Sequence, residues 1–283
     1  MFALILALAI LVGLSLGLLG GGGSILTVPL LVYVAGQEPK AAIATSLLVV
    51  AVTSGVAAVS HARAGRVRWR TGLLFGGAGM AGAYGGGRLA EFIPGTWLLV
   101  AFGLMMAATA FAMLRRSPSS TRESRDDVPV GRVLLDGAVV GLVTGLVGAG
   151  GGFLVVPALA LLGGLPMTAA IGTSLLVISM KSVAGLVGYL QSVEIDWTLA
   201  AAVTVAAVAG TFVGERLAGR FSQDALRRIF GWFVVAMAAF VLGQQVPLGA
   251  LLAIMASPIT WAVVGAAVGV AAAIGLRAHP WGT

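Results

Sequence analysis

Residues 17–29 read GLLGGGGSILTVP, and residues 145–157 read GLVGAGGGFLVVP, at a spacing of 128 positions. The same spacing aligns AAIATSLLV at 41–49 with AAIGTSLLV at 169–177. Across residues 17–69, 21 of 53 aligned positions are identical without a gap, which is more than a shared richness in Gly and Ala produces. We therefore interpret the chain as two copies of one structural unit.

The composition places both copies in a membrane. Hydrophobic residues make up 59% of the 283 residues and charged residues only 10%, and the mean hydropathy is +1.05. A transmembrane helix needs about 20 mostly apolar residues, and apolar runs recur along nearly the whole chain. They cover about 2–19, 24–35, 41–60, 71–90, 97–114, 132–149, 152–163, 168–190, 197–217, 226–243 and 248–276. The sequence thus predicts an all-α polytopic membrane protein.

The repeat and the charged segment between its copies predict the domain organisation. We expect a first transmembrane repeat at 1–114, a cytoplasmic linker at 115–131, a second transmembrane repeat at 132–245, and an additional C-terminal transmembrane helix with a tail at 246–283.

Charges in equivalent loops predict how the copies are oriented. The loop 63–70 carries four arginines, whereas its counterpart carries Glu194 and Asp196. The loop with Arg88 and Glu91 has as its counterpart 216–228, which again carries four arginines. Since basic loops stay cytoplasmic, we expect two inverted-topology repeats of about five membrane segments each. Four crossings per copy is the alternative, and it would place 216–228 outside.

Glycine runs interrupt an apolar stretch in each copy and predict broken helices. A broken helix in an inverted repeat exposes backbone N–H groups near the membrane midplane, where they bind anions. The alternative is that the glycines only allow helices to pack closely. The candidate binding residues of these motifs are Gly20, Gly21, Gly22, Gly23 and Ser24 in the first copy, and Gly150, Gly151 and Gly152 in the second.

Polar side chains within the apolar runs extend the candidate site. Each copy has a Thr-Ser pair whose hydroxyls can donate to an oxyanion, although such hydroxyls often bond to their own helix instead. Lys181 lies deep in the run 168–190, where a charge is costly and usually functional, the alternative being a snorkelling or structurally paired lysine. The additional candidates are Thr45, Ser46, Thr173, Ser174 and Lys181.

Several functional classes fit the sequence poorly. The net charge of +7 comes from arginines clustered in short connections, so we interpret it as a topology signal and expect no nucleic-acid partner. The chain has no cysteine, and no Asp or Glu lies in the middle of an apolar run. We therefore expect no enzyme activity, no metal site and no cofactor.

With its two Gly-rich motifs and the duplicated Thr-Ser-Leu-Leu stretch, the chain resembles the sulfite exporter TauE/SafE family over about residues 1–245. The resemblance implies transport of small sulfur-containing anions such as sulfite, thiosulfate or sulfonates across the cell inner membrane.

We therefore expect a multi-pass secondary transporter that exports such an anion by alternating access between the two repeats. A passive anion channel, or a transporter of an unrelated small anion, is the alternative. The expected partners are the anionic substrate and the lipid bilayer, and a homo-oligomer is left open.

Overall fold

The computed structural model of the protein describes residues 2–19, 22–115, 130–147, 155–156, 159, 165, 167–217 and 223–245. The chain forms two compact units, Met1–Val241 and Leu242–Thr283. Helices extend into both ends of the predicted linker 115–131, and its residues 116–129 lie outside the described residues, as does the predicted C-terminal helix at 248–276. The division into two repeats, a linker and an added helix therefore stays a prediction.

The regular structure of the described residues is helical throughout, as predicted. The helices are α1 (Phe2–Leu19), α2 (Thr27–Pro29), α3 (Pro39–Arg63), α4 (Trp69–Leu89), α5 (Gly95–Arg115), α6 (Val130–Val147), α7 (Met167–Tyr189), α8 (Trp197–Leu217) and α9 (Gln223–Gln245).

The helix positions follow the spacing of the sequence repeat. Helices α1, α3, α4 and α5 each begin 128 residues before α6, α7, α8 and α9, respectively. An apolar run predicted each of these eight helices, so the runs at these positions are confirmed as helical segments.

Length and composition qualify three described helices as membrane spans. These are Pro39–Arg63, Ala169–Tyr189 and Trp197–Leu217, with mean hydropathies of 2.2, 1.7 and 1.7. Shorter apolar helices occur at Phe2–Leu18, Ser24–Val34, Gly95–Phe111, Val133–Val147 and Gly231–Gln245. The fold is that expected for a membrane protein, whereas the predicted number of five segments per repeat stays a prediction.

Irregular helical turns follow α1, and we call residues 22–34 the broken-helix segment. A 3-10 turn at Gly22–Leu26 precedes α2, and a π turn at Leu30–Val34 follows it. The apolar run at about 24–35 predicts a helix there, but the α-helical geometry starts only at Thr27. The change to π geometry comes directly after Pro29, whose ring removes one backbone donor from the helix ladder.

Close glycine contacts join α1 to α8. A Cβ added at Gly13 would collide with the backbone of Ala207, and one at Gly210 would collide with the backbone of Ile10. Gly17 and Gly214 meet one turn further along, so both helices present a Gly-x-x-x-Gly face and run parallel. Such faces let two membrane helices approach until their backbones touch.

The same contact recurs between α4 and α6, at positions shifted by 128. Gly82 and Gly86 of α4 meet the backbone of α6, and Gly141 and Gly145 of α6 meet the backbone of α4. The first helix of each copy thus packs against the helix of the other copy that begins at the equivalent tryptophan, Trp197 for α1 and Trp69 for α6. For these glycines, close helix packing is the role that the structure supports.

Helices α3 and α7 cross near the middle of each. Ser179 of α7 donates a hydrogen bond from its Oγ to the carbonyl oxygen of Ala51 at 2.9 Å, and these two residues are repeat equivalents. Leu47, one turn before Ala51, contacts Gly185, which lies after Ser179. Because the contacts ascend on one helix and descend on the other, α3 and α7 are antiparallel.

Helix α4 lies along α7 in the parallel sense. Gly72 contacts Thr173 near the start of both helices, Gly76 contacts Met180, and Gly87 approaches Gly188 near their ends. Helix α7 is therefore enclosed by α3 and α4, and the polar residues at its centre are removed from the protein surface.

Candidate anion site

The most buried charge among the described residues belongs to Lys181, at the centre of α7. Only 1% of its surface is exposed. Its Nζ donates a hydrogen bond to Thr144 Oγ1 of α6 at 2.9 Å, and that hydroxyl donates to the Val140 carbonyl at 2.7 Å. Lys181 is thus held by a neutral group.

No carboxylate pairs with this ammonium among the described residues, where the ion pair observed is the exposed Arg88–Glu91 contact of 3.3 Å. A buried cation without a counter-ion is strongly unfavourable in an apolar environment. An anion placed beside Lys181 would supply the missing negative charge.

Glycines allow three helices to converge at Lys181. A Cβ added at Gly79 of α4 would lie 3.9 Å from the Cβ of Lys181 and 3.5 Å from the carbonyl oxygen of Gly137 on α6. The absence of side chains at Gly79 and Gly137 brings α4 and α6 against α7, and this places Thr144 within reach of the ammonium.

The first copy has no equivalent of the hydrogen bond between Lys181 and Thr144. Thr53 is the repeat equivalent of Lys181, and it donates to the carbonyl of Val49 in its own helix at 2.7 Å. Leu16 is the equivalent of Thr144 and is a buried apolar residue. The two halves of the site are therefore chemically unequal, as the substitution of Lys181 for a threonine predicts.

The four predicted Thr-Ser residues are all buried, but their hydroxyls differ in what they bind. Thr173 Oγ1 accepts a hydrogen bond from the Arg68 backbone N–H at 2.9 Å, and Ser174 donates to the Ile171 carbonyl at 2.7 Å. Thr45 Oγ1 has no hydrogen-bond partner among the described residues. The hydroxyls of Thr173 and Ser174 therefore bind the protein's own backbone. A role of either Thr-Ser pair in anion binding stays a prediction.

The sequence patterns did not identify two further serines as candidate site residues. Ser54 and Ser182 are fully buried, and neither hydroxyl has a partner among the described residues. They are identical repeat equivalents, and each follows the Ala51–Ser179 crossing by one helical turn. Buried hydroxyls are almost always hydrogen-bonded, so an unpartnered pair at equivalent positions indicates a place for water or a ligand. The repeat alignment could have identified these two residues, because both aligned positions are serine.

The residues that the structure describes include only part of the two Gly-rich motifs. Gly22 and Gly23 belong to the 3-10 turn, and Ser24 is fully buried. Gly20, Gly21, Gly150, Gly151 and Gly152 lie outside the described residues. Whether these motifs bind an anion stays a prediction.

Taken together, the described polar groups lie near the centres of α3 and α7. Ala51 is the central residue of the 25-residue helix α3. Ser54, Ser182 and Lys181 lie within one turn of the Ala51–Ser179 crossing along their helices. A cation beside a hydroxyl, as in the Lys181–Thr144 pair, can bind an anion by charge and hydrogen bonding.

Comparison with known proteins shows that the chain is similar to membrane transporter proteins. A probable membrane transporter protein of Xylella fastidiosa is 38% identical over 241 residues, which cover 83% of this chain and 92% of the relative. One of Methanocaldococcus jannaschii is 31% identical over 201 residues, covering 68% and 74%. The probable membrane transporter protein YdhB of Bacillus subtilis is 28% identical over 229 residues, covering 79% and 93%.

No solved structure matches the chain. The family described as sulfite exporter TauE/SafE matches residues 5–241, a range that contains both copies of the repeat and Lys181. The chain therefore belongs to the sulfite exporter TauE/SafE family of membrane proteins.

Proposed function

We propose that the protein is a secondary transporter of a small sulfur-containing anion and that Lys181 binds the anion. The observation that carries the proposal is the buried ammonium, whose hydrogen-bond partner among the described residues is the neutral Thr144. An anion next to Lys181 removes the unfavourable energy of an isolated charge, which gives the site its selectivity for negative solutes.

Buried hydroxyls near the centres of α3 and α7 suit an oxyanion. Sulfite, thiosulfate and sulfonates present several oxygen acceptors around one sulfur atom, and hydroxyl groups donate to such oxygens. Ser54 and Ser182 have donors that no described residue uses. The family description, sulfite exporter, supports this substrate class.

The transport mechanism is alternating access between two inverted repeats. Equivalent helices support this topology: α3 and α7 are antiparallel and meet at the equivalent residues Ala51 and Ser179. The interlocked pairs α1–α8 and α4–α6 keep each copy attached to the other. A rocking motion around the α3–α7 crossing would expose Lys181 first to one side of the membrane and then to the other.

Export is the favoured direction, and the cell inner membrane is the proposed location. With the cell interior negative, moving one anion outward releases about 2.3 kcal/mol per 100 mV. This energy drives export without a coupled ion.

Counterflow in proteoliposomes tests the proposal. Vesicles loaded with unlabelled sulfite or sulfoacetate are diluted into labelled anion, and we expect transient accumulation with the unaltered protein. Lys181→Met and Lys181→Arg are compared with Lys40→Met, which alters the other lysine of the chain. Lys40 is a matched control because it lies outside the site, donating to the Glu91 carbonyl at 2.9 Å.

The outcomes separate the competing functions. Loss of a charged hydrogen bond weakens binding by about 1.5–3 kcal/mol, or roughly 10–100-fold, so Lys181→Met should need a roughly 10–100-fold higher anion concentration than Lys40→Met for half-maximal counterflow. Anion flux without counterflow would identify a passive channel instead. Full activity of Lys181→Met would exclude the ammonium from the site.

A further inference from the structure

A cleft of about 130 Å³ lies beside α3, and Lys181 is not among its lining residues. Its lining includes the small residues Gly55, Ala58 and Ala62 of α3, together with Ser179 of α7. Ser179 contributes the one hydroxyl of the lining, and that hydroxyl already donates to the Ala51 carbonyl. Water needs two to four polar partners to occupy such a space, so the cleft suits an apolar occupant.

The cleft exists in the first copy because its side chains are small. The positions equivalent to the three small residues of α3 hold Val183, Leu186 and Leu190 in the second copy. These larger side chains would fill the same space. The cleft is therefore a local property of the first copy rather than a consequence of the repeated fold.

The cleft lies at the membrane-facing surface. Val59 and Trp69 line it, and each exposes about half of its side chain, 50% and 55%, respectively. Exposed apolar side chains on a membrane helix face lipid, and tryptophan is typical of the boundary between acyl chains and headgroups. One end of the cleft thus lies at headgroup level.

A cluster of exposed arginines stands at that end. Arg63, Arg66, Arg68 and Arg70 are all exposed, and the lining residues Val67 and Trp69 lie between them in the chain. None of the four forms an ion pair with a carboxylate of the described residues. Basic groups at the ends of membrane helices attract anionic lipid headgroups.

We propose that this cleft binds an anionic phospholipid, with an acyl chain between α3 and α7 and the phosphate on the arginines of the loop 63–70. The apolar lining and the positive rim match the two parts of such a molecule. A soluble anion would use the arginines but not the cleft, and a neutral lipid would use the cleft but not the arginines. The site is separate from Lys181, so it does not depend on the proposed transport function.

The test is lipid titration of the delipidated full-length protein, read by native mass spectrometry and by the shift in Tm. The probes are dioleoyl phosphatidylglycerol, dioleoyl phosphatidylcholine with the same chains, and glycerol phosphate as the headgroup alone. One variant, Ala58→Leu with Ala62→Leu, fills the cleft with the residues of the second copy. Another, Arg63→Gln with Arg66→Gln, removes two charges from the rim.

Two control variants match these changes elsewhere on the surface. Arg88→Gln removes a half-buried charge outside the loop, one that pairs with Glu91, and Val205→Leu enlarges an exposed apolar side chain of α8 that lies outside the cleft.

We expect one phosphatidylglycerol to bind the unaltered protein more tightly than phosphatidylcholine. Each arginine near an anionic headgroup contributes about fivefold in affinity, so the double arginine variant should bind phosphatidylglycerol about 25-fold more weakly. The cleft-filling variant should lose the tightly bound lipid while retaining its fold, as judged by a melting curve without lipid. Equal binding of the two lipids, undiminished binding by the cleft-filling variant, or displacement of the lipid by glycerol phosphate would each overturn the proposal.

Discussion

The interlocked glycine contacts predict a large difference between two neighbouring glycines of α4. A Cβ added at Gly82 would press against the carbonyl oxygen of Ala138 and lie 2.7 Å from the backbone N of Leu142, whereas one added at Gly77 would have no atom within 4 Å. Ordinary carbon contacts are 3.4 Å or longer. Gly82→Ala therefore requires α4 and α6 to separate by close to an ångström, and Gly77→Ala requires no movement.

The expected change in stability follows from this displacement. Overpacking of a well-packed contact destabilises by about 1–3 kcal/mol, while an alanine in an open helical position stabilises by about 0.4–1 kcal/mol relative to glycine. A change of 1 kcal/mol moves the Tm of a chain of this size by about 2–4 °C. We therefore expect the Tm of Gly82→Ala to be several degrees below that of Gly77→Ala.

The assay is thermal unfolding in one detergent, followed by the fluorescence of the six tryptophans. Gly210→Ala makes the equivalent change in the α1–α8 pair and should lower the Tm similarly, because its Cβ would meet the backbone of Ile10. If Gly82→Ala and Gly77→Ala melted together, the close approach of α4 and α6 would be refuted.

Two further predictions concern the hydroxyls of the candidate site. Ser182→Ala should leave the Tm unchanged or slightly higher, because it removes a buried hydroxyl that has no partner among the described residues, and it should weaken anion counterflow; unchanged transport would assign Ser182 no role in binding. Thr173→Val should instead lower the stability by about 1–3 kcal/mol, because the Arg68 N–H loses its acceptor, whereas Thr173→Ser should retain it; equal melting of these two variants would contradict the observed hydrogen bond.

Local sequence patterns were sufficient to locate the helices. A helix satisfies all of its backbone hydrogen bonds within one segment, so a run of apolar residues is enough to indicate where it forms. The broken-helix segment shows the limit of this reasoning. The glycines and Pro29 indicate an interruption, but its 3-10 and π turns depend on how the surrounding helices pack.

The sequence by itself determined the repeat, the helical membrane class, and the presence of a buried cation at Lys181, because each follows from composition or from spacing along one segment. Only the tertiary structure decided that α1 packs against α8, that Thr144 binds Lys181 across 37 residues, and that Ser54 and Ser182 have no partner among the described residues. Those facts depend on which helix faces meet. Helix faces meet where small residues allow close approach in three dimensions, and many pairings of glycine-rich faces are compatible with the same linear pattern.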